Sequence, residues 1–460
     1  MNVTNVSLRQ IERPDWSIPA DEPQPTLPTA EYEQRLAELY ATAGTTWVAV
    51  YADREHAANL VFLTHFDPRF EEALLLLGPN ASRTLILGNE DMGYTSQARP
   101  EMAFVLCQSF SLMGQARDQA PRLDAVLRQI GLKAGDSIGV VGWKYLEASE
   151  DEDLTTPAFI PAYFLRHLQR VVGEQGRVTD VTHALMHPTQ GLKSRNSAAQ
   201  IAMFEWAAMR TSEAVQRVLR HATPGQTEAE AALQFAYQGL PMSCHPMLNS
   251  AGAGEPVVGL RSPGMRKLDY GDGVSTAIGY WGSLCARAGL LRTDAPAGFV
   301  EGYVAPYFKA IATWYQTIRV GAIGGELFNR VLAAFEGSSI RPALNPGHLV
   351  SIDEWTHTPI RQDSGDAVLS GMALQCDIIP SPMPDGQALN CEDTVAIADA
   401  PLRADLAANY PAVWQRIQAR RSFMQTALGL VLDESVLPLS NTPAYFAPCW
   451  LAPDLVCSVL

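Results

Sequence analysis

The chain has 460 residues, 47% of them hydrophobic and 18% charged, and carries a net charge of -15. Such a length calls for two domains with ordinary globular cores, and no apolar run reaches the roughly 18 residues of a membrane span. The acidic balance excludes nucleic acid and anionic membrane surfaces as partners, because phosphate recognition needs clustered Lys and Arg.

In chain order, residues 1–30 are Pro-rich and polar and read as an extended arm. They lack the basic-then-apolar build of a secretion signal, so a cytoplasmic protein is expected. Residues 31–43 predict a helix, and 46–51, 60–64, 73–77, 84–87 and 137–141 are short apolar runs that predict strands of a buried sheet. An amphipathic helix is predicted over 122–130. The stretch 187–197 (HPTQGLKSRNS) is polar and rich in breakers, and the boundary between an α/β domain and a second domain is placed there. Beyond it, Ile201, Phe204, Ala208, Val215 and Val218 form one apolar helical face. Pro224 and Gly225 end that helix, and Thr227 with Glu230 forms a capping box opening the next. The segment 402–432 is again helical.

Two hairpins dominate the second domain. In the later one, 372–379 and 389–397 flank the turn PMPDG at 382–386. A turn centred on Pro384 and Asp385 sets Asp377 opposite Glu392. Directly opposed acids repel, so this register implies a cation or a shared proton between them, whereas an offset register leaves both acids solvated. The earlier hairpin turns at Trp281–Gly282 and sets Ala277 opposite Ala286. Its segment, 273–292 (GVSTAIGYWGSLCARAGLLR), contains neither Asp nor Glu. The seven cysteines are scattered without paired spacing, which excludes a disulfide framework or zinc knuckle and fits buried thiols. Cys244 and His245 are adjacent on a strand and point to opposite faces, so they do not form a nucleophile pair.

These residues carry a resemblance. The helix over 193–215, the lead RKLDYGD at 266–272, PGH at 346–348, GMALQCDIIP at 371–380 and CEDTV at 391–395 follow one another as in the creatinase / aminopeptidase P / prolidase family. ANLVFLTHFDP at 58–68 resembles a segment of that family's non-catalytic domain. The resemblance implies an α/β (α+β) chain. An extended arm (1–30) leads into a creatinase-like N-terminal domain (31–186), followed by a pita-bread domain with a C-terminal extension (187–460). It also implies a homodimer.

The family binds two divalent metals through two Asp, one His and two Glu, a hard donor set suited to manganese or cobalt. By resemblance His348 stands at the His, Asp377 at one Glu and Glu392 at the other, while the two Asp positions fall on Ala277 and Ala286. Leu349 and Ser351 replace loop glycines, Trp355 replaces a second histidine with His357 two residues on, Thr356 replaces a glutamate, and Leu260 replaces another histidine. With the dinuclear site depleted, the expected function is metal-independent hydrolysis of a C–N bond in a small amide, guanidino or amino-acid-like substrate, as in creatinase. His348 would transfer the proton, Asp377 and Glu392 would orient substrate or water, and no cofactor would be needed. One alternative is an Xaa-Pro-type peptidase holding one Mn or Co ion through His348, Asp377 and Glu392. The other is a non-catalytic binding protein on the same fold.

Four further residues are candidates for the substrate site. Arg287, if turned inward, would neutralise Asp377 and Glu392; otherwise it is a surface arginine. His357 is a second acid/base candidate. In the family the non-catalytic domain reaches the partner subunit's site, so His65, Phe66 and Arg69 are expected to contact a neighbour's substrate, Arg69 through a carboxylate.

Overall fold

The structure, a computed structural model, describes residues 5–16, 18, 22–119 and 122–459; part of the expected arm lies outside the described residues. The chain divides into two compact units, one of Leu27–Ser194 and one of Met1–Thr26 with Arg195–Leu460. The break falls after Ser194, a few residues beyond the polar stretch's start. The first strand, β1 (Ser7–Gln10), is not a free arm: it pairs antiparallel with the last strand of the chain, Ser7 opposite Ser458.

The Leu27–Ser194 unit runs α1 (Thr29–Ala43), β2 (Trp47–Ala52), α2 (Ala58–Thr64), β3 (Ala73–Gly78), β4 (Ser82–Leu87), β5 (Ala103–Leu106), α3 (Leu123–Ile130), β6 (Ser137–Val141), α4 (Ala162–Val172), β7 (Arg177–Asp180) and α5 (His183–Met186). Its six strands form one mixed sheet in the order β5-β4-β3-β2-β6-β7. Val48, Val50, Leu75 and Leu77 are buried, as are their neighbours of opposite parity, so the central strands read as continuous apolar runs. The run at 60–64 is a helix, not the predicted strand. Every residue of α2 after Ala58 is buried, and a short run buried on all sides has no periodicity to separate strand from helix. The Thr64 hydroxyl donates to the Leu60 carbonyl at 2.7 Å, and His65 ends the helix in the left-handed region at φ 58°.

The second unit continues with α6 (Ala198–His221), α7 (Glu228–Ala232), β8 (Met242–Ala251), β9 (Gly273–Tyr280), β10 (Ser283–Leu290), α8 (Ala305–Thr317), α9 (Gly324–Ala334), β11 (Arg341–Pro342), β12 (His348–Leu349), β13 (Ala373–Cys376), β14 (Pro380–Ser381), β15 (Asn390–Ile397), α10 (Ala400–Asn409), α11 (Pro411–Thr426), β16 (Val436–Pro438) and β17 (Leu455–Ser458). Seven strands build one sheet along the path β12-β13-β15-β10-β9-β8, with β16 beside β15. The capping box at Thr227 and Glu230 forms, each reaching the other's backbone N–H.

Helix α6 differs from its predicted single apolar face: residues on every side of it are buried, Glu205 and Gln216 included. Glu205 is tolerated there because Arg416 grips it at 2.7 and 2.8 Å and Arg420 at 2.8 Å. The apolar side of α6 (Ala207, Ala214, Val215, Val218) packs with Val274, Ile278, Tyr280 and Cys285 of the β9–β10 hairpin. Side chains alternate across a strand, so Ala277 and Ala286 look out from the opposite face of the same sheet. The candidate chemistry gathers on that face.

Candidate functional site

The strand ladders define a row of side chains on the face away from α6. Glu392 pairs with Ala286, Ala286 with Ala277, and Ala277 with Met247. On the other side of β15 the ladder runs to Cys376 opposite Asp393. One step further in this register places Asp377 opposite Glu392, the in-register arrangement read from the turn. The row is therefore acidic at one end and apolar at the other, where Met247, Ala277, Leu284 and Ala286 form a separate small cluster with Cys244 packed against it.

His348 enters from β12, whose ladder sets it opposite Gln375. Its ring is fully buried and stacks on Trp355, with centroids 4.0 Å apart and planes at 18°. Nδ1 lies 3.2 Å from the Leu349 carbonyl, which accepts its hydrogen and turns Nε2 toward the acids. Nε2 stands 3.0 Å from Glu354 Oε1 and 3.9 Å from Glu392 Oε1. Glu354 is the residue that sequence reasoning missed. It reaches His348 because the chain folds back after β12: the Leu349 N–H donates to the His357 carbonyl at 2.7 Å, and the Thr356 N–H to the Leu349 carbonyl at 3.0 Å. Asp353 and Glu354 are the only acids in this short return, which was the one signal available in the sequence.

The electrostatics of this cluster are unbalanced. Burial, with Asp377 and Glu354 nearby, pushes the Glu392 carboxyl well above the usual carboxylate range. Burial likewise raises Asp377 to about 6, against the lowering influence of His348. Burial disfavours the imidazolium of His348, but Glu354 and Asp377 outweigh it and its pKa is raised. Asp377 Oδ1 and Glu392 Oε1 are buried without a hydrogen-bond partner, and the contact of His348 Nε2 with Glu354 is off the line of a hydrogen bond. Buried polar atoms in this state require a proton or a cation among them.

One donor atom each from His348, Glu354 and Glu392 lie within 4.8 Å of one another. One imidazole nitrogen and two carboxylates, with a third carboxylate beside them, match the hard divalent ions. The residues present therefore fit a single metal ion. The sequence draws His348, Asp377 and Glu392 as the donor set; the structure brings Glu354 into the group, with Asp377 buried beside it.

Arg287 corrects a second expectation. It is neither a surface residue nor a partner of the Asp377 and Glu392 carboxylates. It projects from β10 to the face shared with Asp393, whose Oδ2 accepts from Nη2 at 2.8 Å. Nε donates to the Tyr445 carbonyl, Nη1 to the Ala286 and Glu392 carbonyls, and Nη2 to the Thr442 carbonyl. All five N–H groups are used, and the pair is 1% exposed on both sides. Strand parity explains it: Arg287 and Ala286 are neighbours, so they face opposite ways.

The remaining candidates are dispersed. His357 is half-buried and its Nδ1 accepts from the Thr358 N–H at 2.8 Å; it is not one of the three clustered donors. In the other unit Phe66 is buried, while Arg69 is exposed, donates to the Tyr94 hydroxyl at 3.0 Å and pairs with Asp67 at 3.3 Å. Six cysteines are buried free thiols, and Cys244 is half-buried.

No family model and no curated protein matches the sequence. Solved structures do match the fold. The prolidase of Thermococcus sibiricus superposes with a TM-score of 0.63 at 14% identity, over 90% of this chain and 97% of its own. The prolidase of Pyrococcus horikoshii OT3 gives 0.61 at 14% identity, over 80% and 95%. The dipeptidase PepE of Mycobacterium ulcerans gives 0.58 at 18% identity, over 81% and 94%. The chain has the pita-bread fold of these structures, as an α/β N-terminal unit followed by the unit that carries the seven-stranded sheet. Among the described residues no helix is long and apolar enough to cross a membrane.

Proposed function

We propose that the protein is a hydrolase of peptide C–N bonds, of the Xaa-Pro type, that works with one divalent ion. The observation that carries this reading is the cluster of His348, Glu354 and Glu392 donor atoms within 4.8 Å of one another. The fold supports it further, since similar structures bear the names prolidase and Xaa-Pro dipeptidase. His348, Glu354 and Glu392 would hold the ion, manganese or cobalt, with the stacked Trp355 and the Leu349 carbonyl setting the imidazole's orientation. Such an ion, when bound, polarises the scissile carbonyl and acidifies a bound water.

The chain's own residues supply the rest. Asp377, buried beside the cluster and shifted to about 6, is placed to hold or pass a proton near neutral pH. Met247, Ala277, Leu284 and Ala286 exclude water from the other end of the row. The methyl groups at 277 and 286 cannot ligate, which limits the site to one ion.

The metal-independent hydrolysis expected from the sequence uses His348, Asp377 and Glu392 as well, but it leaves the charge of Glu354 without a role. The test is turnover of Xaa-Pro dipeptides by protein stripped with chelator and reloaded with manganese, cobalt or neither. Turnover only after reloading, lost in E354Q, supports the proposal. Turnover of any amide that survives stripping overturns it.

A further inference from the structure

A second concave site lies on the opposite side of the sheet, among α6, the turn after α7 and the far end of β9. It is a cavity of roughly 280 Å³ whose lining includes Arg210, Arg217, Phe235, Gln238, Leu240 and Tyr280, just below the range of about 300 to 1,000 Å³ for ligand pockets and so suited to a small ligand. Tyr280 and Ala277 differ by an odd number of positions on β9, so they face opposite ways and this cavity is separate from the acidic row.

Its charge is unusual for an acidic protein. No carboxylate among the described residues makes an ion pair with Arg210 or Arg217. The guanidinium carbon of Arg210 sits over the Trp206 ring, 3.5 Å from its centroid, and the group spends one donor, Nη1, on the Trp206 carbonyl. Burial holds its pKa below the ordinary value. The nearest acids, Glu22 and Glu205, are already gripped by Arg416 and Arg420. Arg217 donates through Nε and Nη2 to the Gln234 and Phe235 carbonyls, which fixes its fork and leaves Nη1. Tyr280 is a buried residue whose hydroxyl opens to the cavity and makes no hydrogen bond among the described residues. Both guanidinium groups are half-buried and line the same cavity, where like charges repel and an anion between them relieves the repulsion.

We propose that this cavity binds a small organic carboxylate with an apolar body. Arg210 and Arg217 hold the carboxylate, Tyr280 donates a further hydrogen bond, and Phe235 and Leu240 cover the apolar part. A planar, divergent pair of guanidinium donors suits a carboxylate, and the aromatic and aliphatic walls favour an organic anion over an inorganic one. The site is independent of the metal cluster, so its ligand is expected to bind the stripped and the loaded protein alike.

The test is titration calorimetry of the full chain with 3-phenylpropionate, its uncharged amide and inorganic phosphate, with tryptophan emission as a second readout through Trp206. The expected result is saturable one-site binding of the acid, weakened about tenfold or more for the amide and for R210Q, with an emission change that R210Q abolishes. Y280F, which removes one hydrogen bond and little volume, weakens the acid only. The acid-against-amide comparison needs no variant, so misfolding of R210Q does not decide the matter. Equal binding of acid and amide, unchanged binding by R210Q, or no saturable binding of the acid overturns the proposal. Phosphate binding as tightly as the acid overturns its organic assignment.

Discussion

Arg287 and Asp393 form a fully buried ion pair, Nη2 to Oδ2 at 2.8 Å, on the face of the sheet opposite Glu392. Ser440, Thr442 and the Ala444 N–H also donate to Asp393, so the carboxylate is saturated with donors. This pair belongs to the core that holds β10, β15 and the C-terminal segment together. Removing one partner leaves a buried charge alone. R287M is expected to cost roughly 3–5 kcal/mol, read as a fall in urea midpoint, while metal affinity measured on the folded fraction stays unchanged. A large change in metal affinity would mean that Arg287 acts on the acidic row after all.

Glu354 tests the site without that risk, because it lies on a half-exposed return and not in the core. E354Q keeps the shape and removes the charge. Manganese affinity, followed by calorimetry, is expected to drop on the order of 10–100-fold or more, with a thermal midpoint near that of the wild type without metal. Unaltered affinity would exclude Glu354 as a ligand.

Ala277 and Ala286 face each other across β9 and β10, and Ala286 also faces Glu392. A single A286D adds a like charge beside Glu392 and is expected to destabilise the metal-free protein. The double variant A277D/A286D completes a carboxylate-rich row, and metal analysis after dialysis is expected to rise from about one equivalent to about two. A double variant that retains no more metal than wild type would show that methyl groups are not what limits the site.

Asp91 provides a pH-dependent prediction in the Leu27–Ser194 unit. Burial, with Glu71, Asp67 and Glu90 adding to it, raises its carboxyl to about 8 from an ordinary 3.8. Between those values the folded chain binds more protons than the unfolded chain, so stability falls as pH rises through that window. D91N is expected to flatten the fall, seen as a smaller difference between urea midpoints at pH 5 and pH 8.5. An identical pH profile in D91N would show that Asp91 is ionised in the folded protein at neutral pH.

Glu205 sits at the centre of a buried network with Arg416 and Arg420, and Glu22 holds Arg416 from the N-terminal segment. E205Q leaves two arginines short of a counter-charge. It is expected to destabilise by a few kcal/mol, about as much as other broken buried pairs, measured by denaturant unfolding. A midpoint within error of wild type would remove this network from the stabilising core.

The sequence by itself determined the hairpins and the capping box at Thr227 and Glu230, because these depend on turn chemistry and spacing, and it carried the fold class through the ordered motifs that resemble a known family. The pairing of Ala277 with Ala286 and the step that sets Asp377 opposite Glu392 were legible for the same reason: a turn of known length specifies register. The run 60–64 was not legible, since a short segment buried on every side carries no period. Nor was the burial of all sides of α6, where Arg416 and Arg420 from a distant helix make Glu205 acceptable. Only the tertiary structure decided the site. Glu354 comes within reach of His348 because the chain after β12 folds back through hydrogen bonds at Leu349, and Arg287 turns away from the acidic row because its partner Asp393 lies on the other face. Both outcomes depend on which groups meet across the sheet, a property of the packed chain that no local window of residues contains.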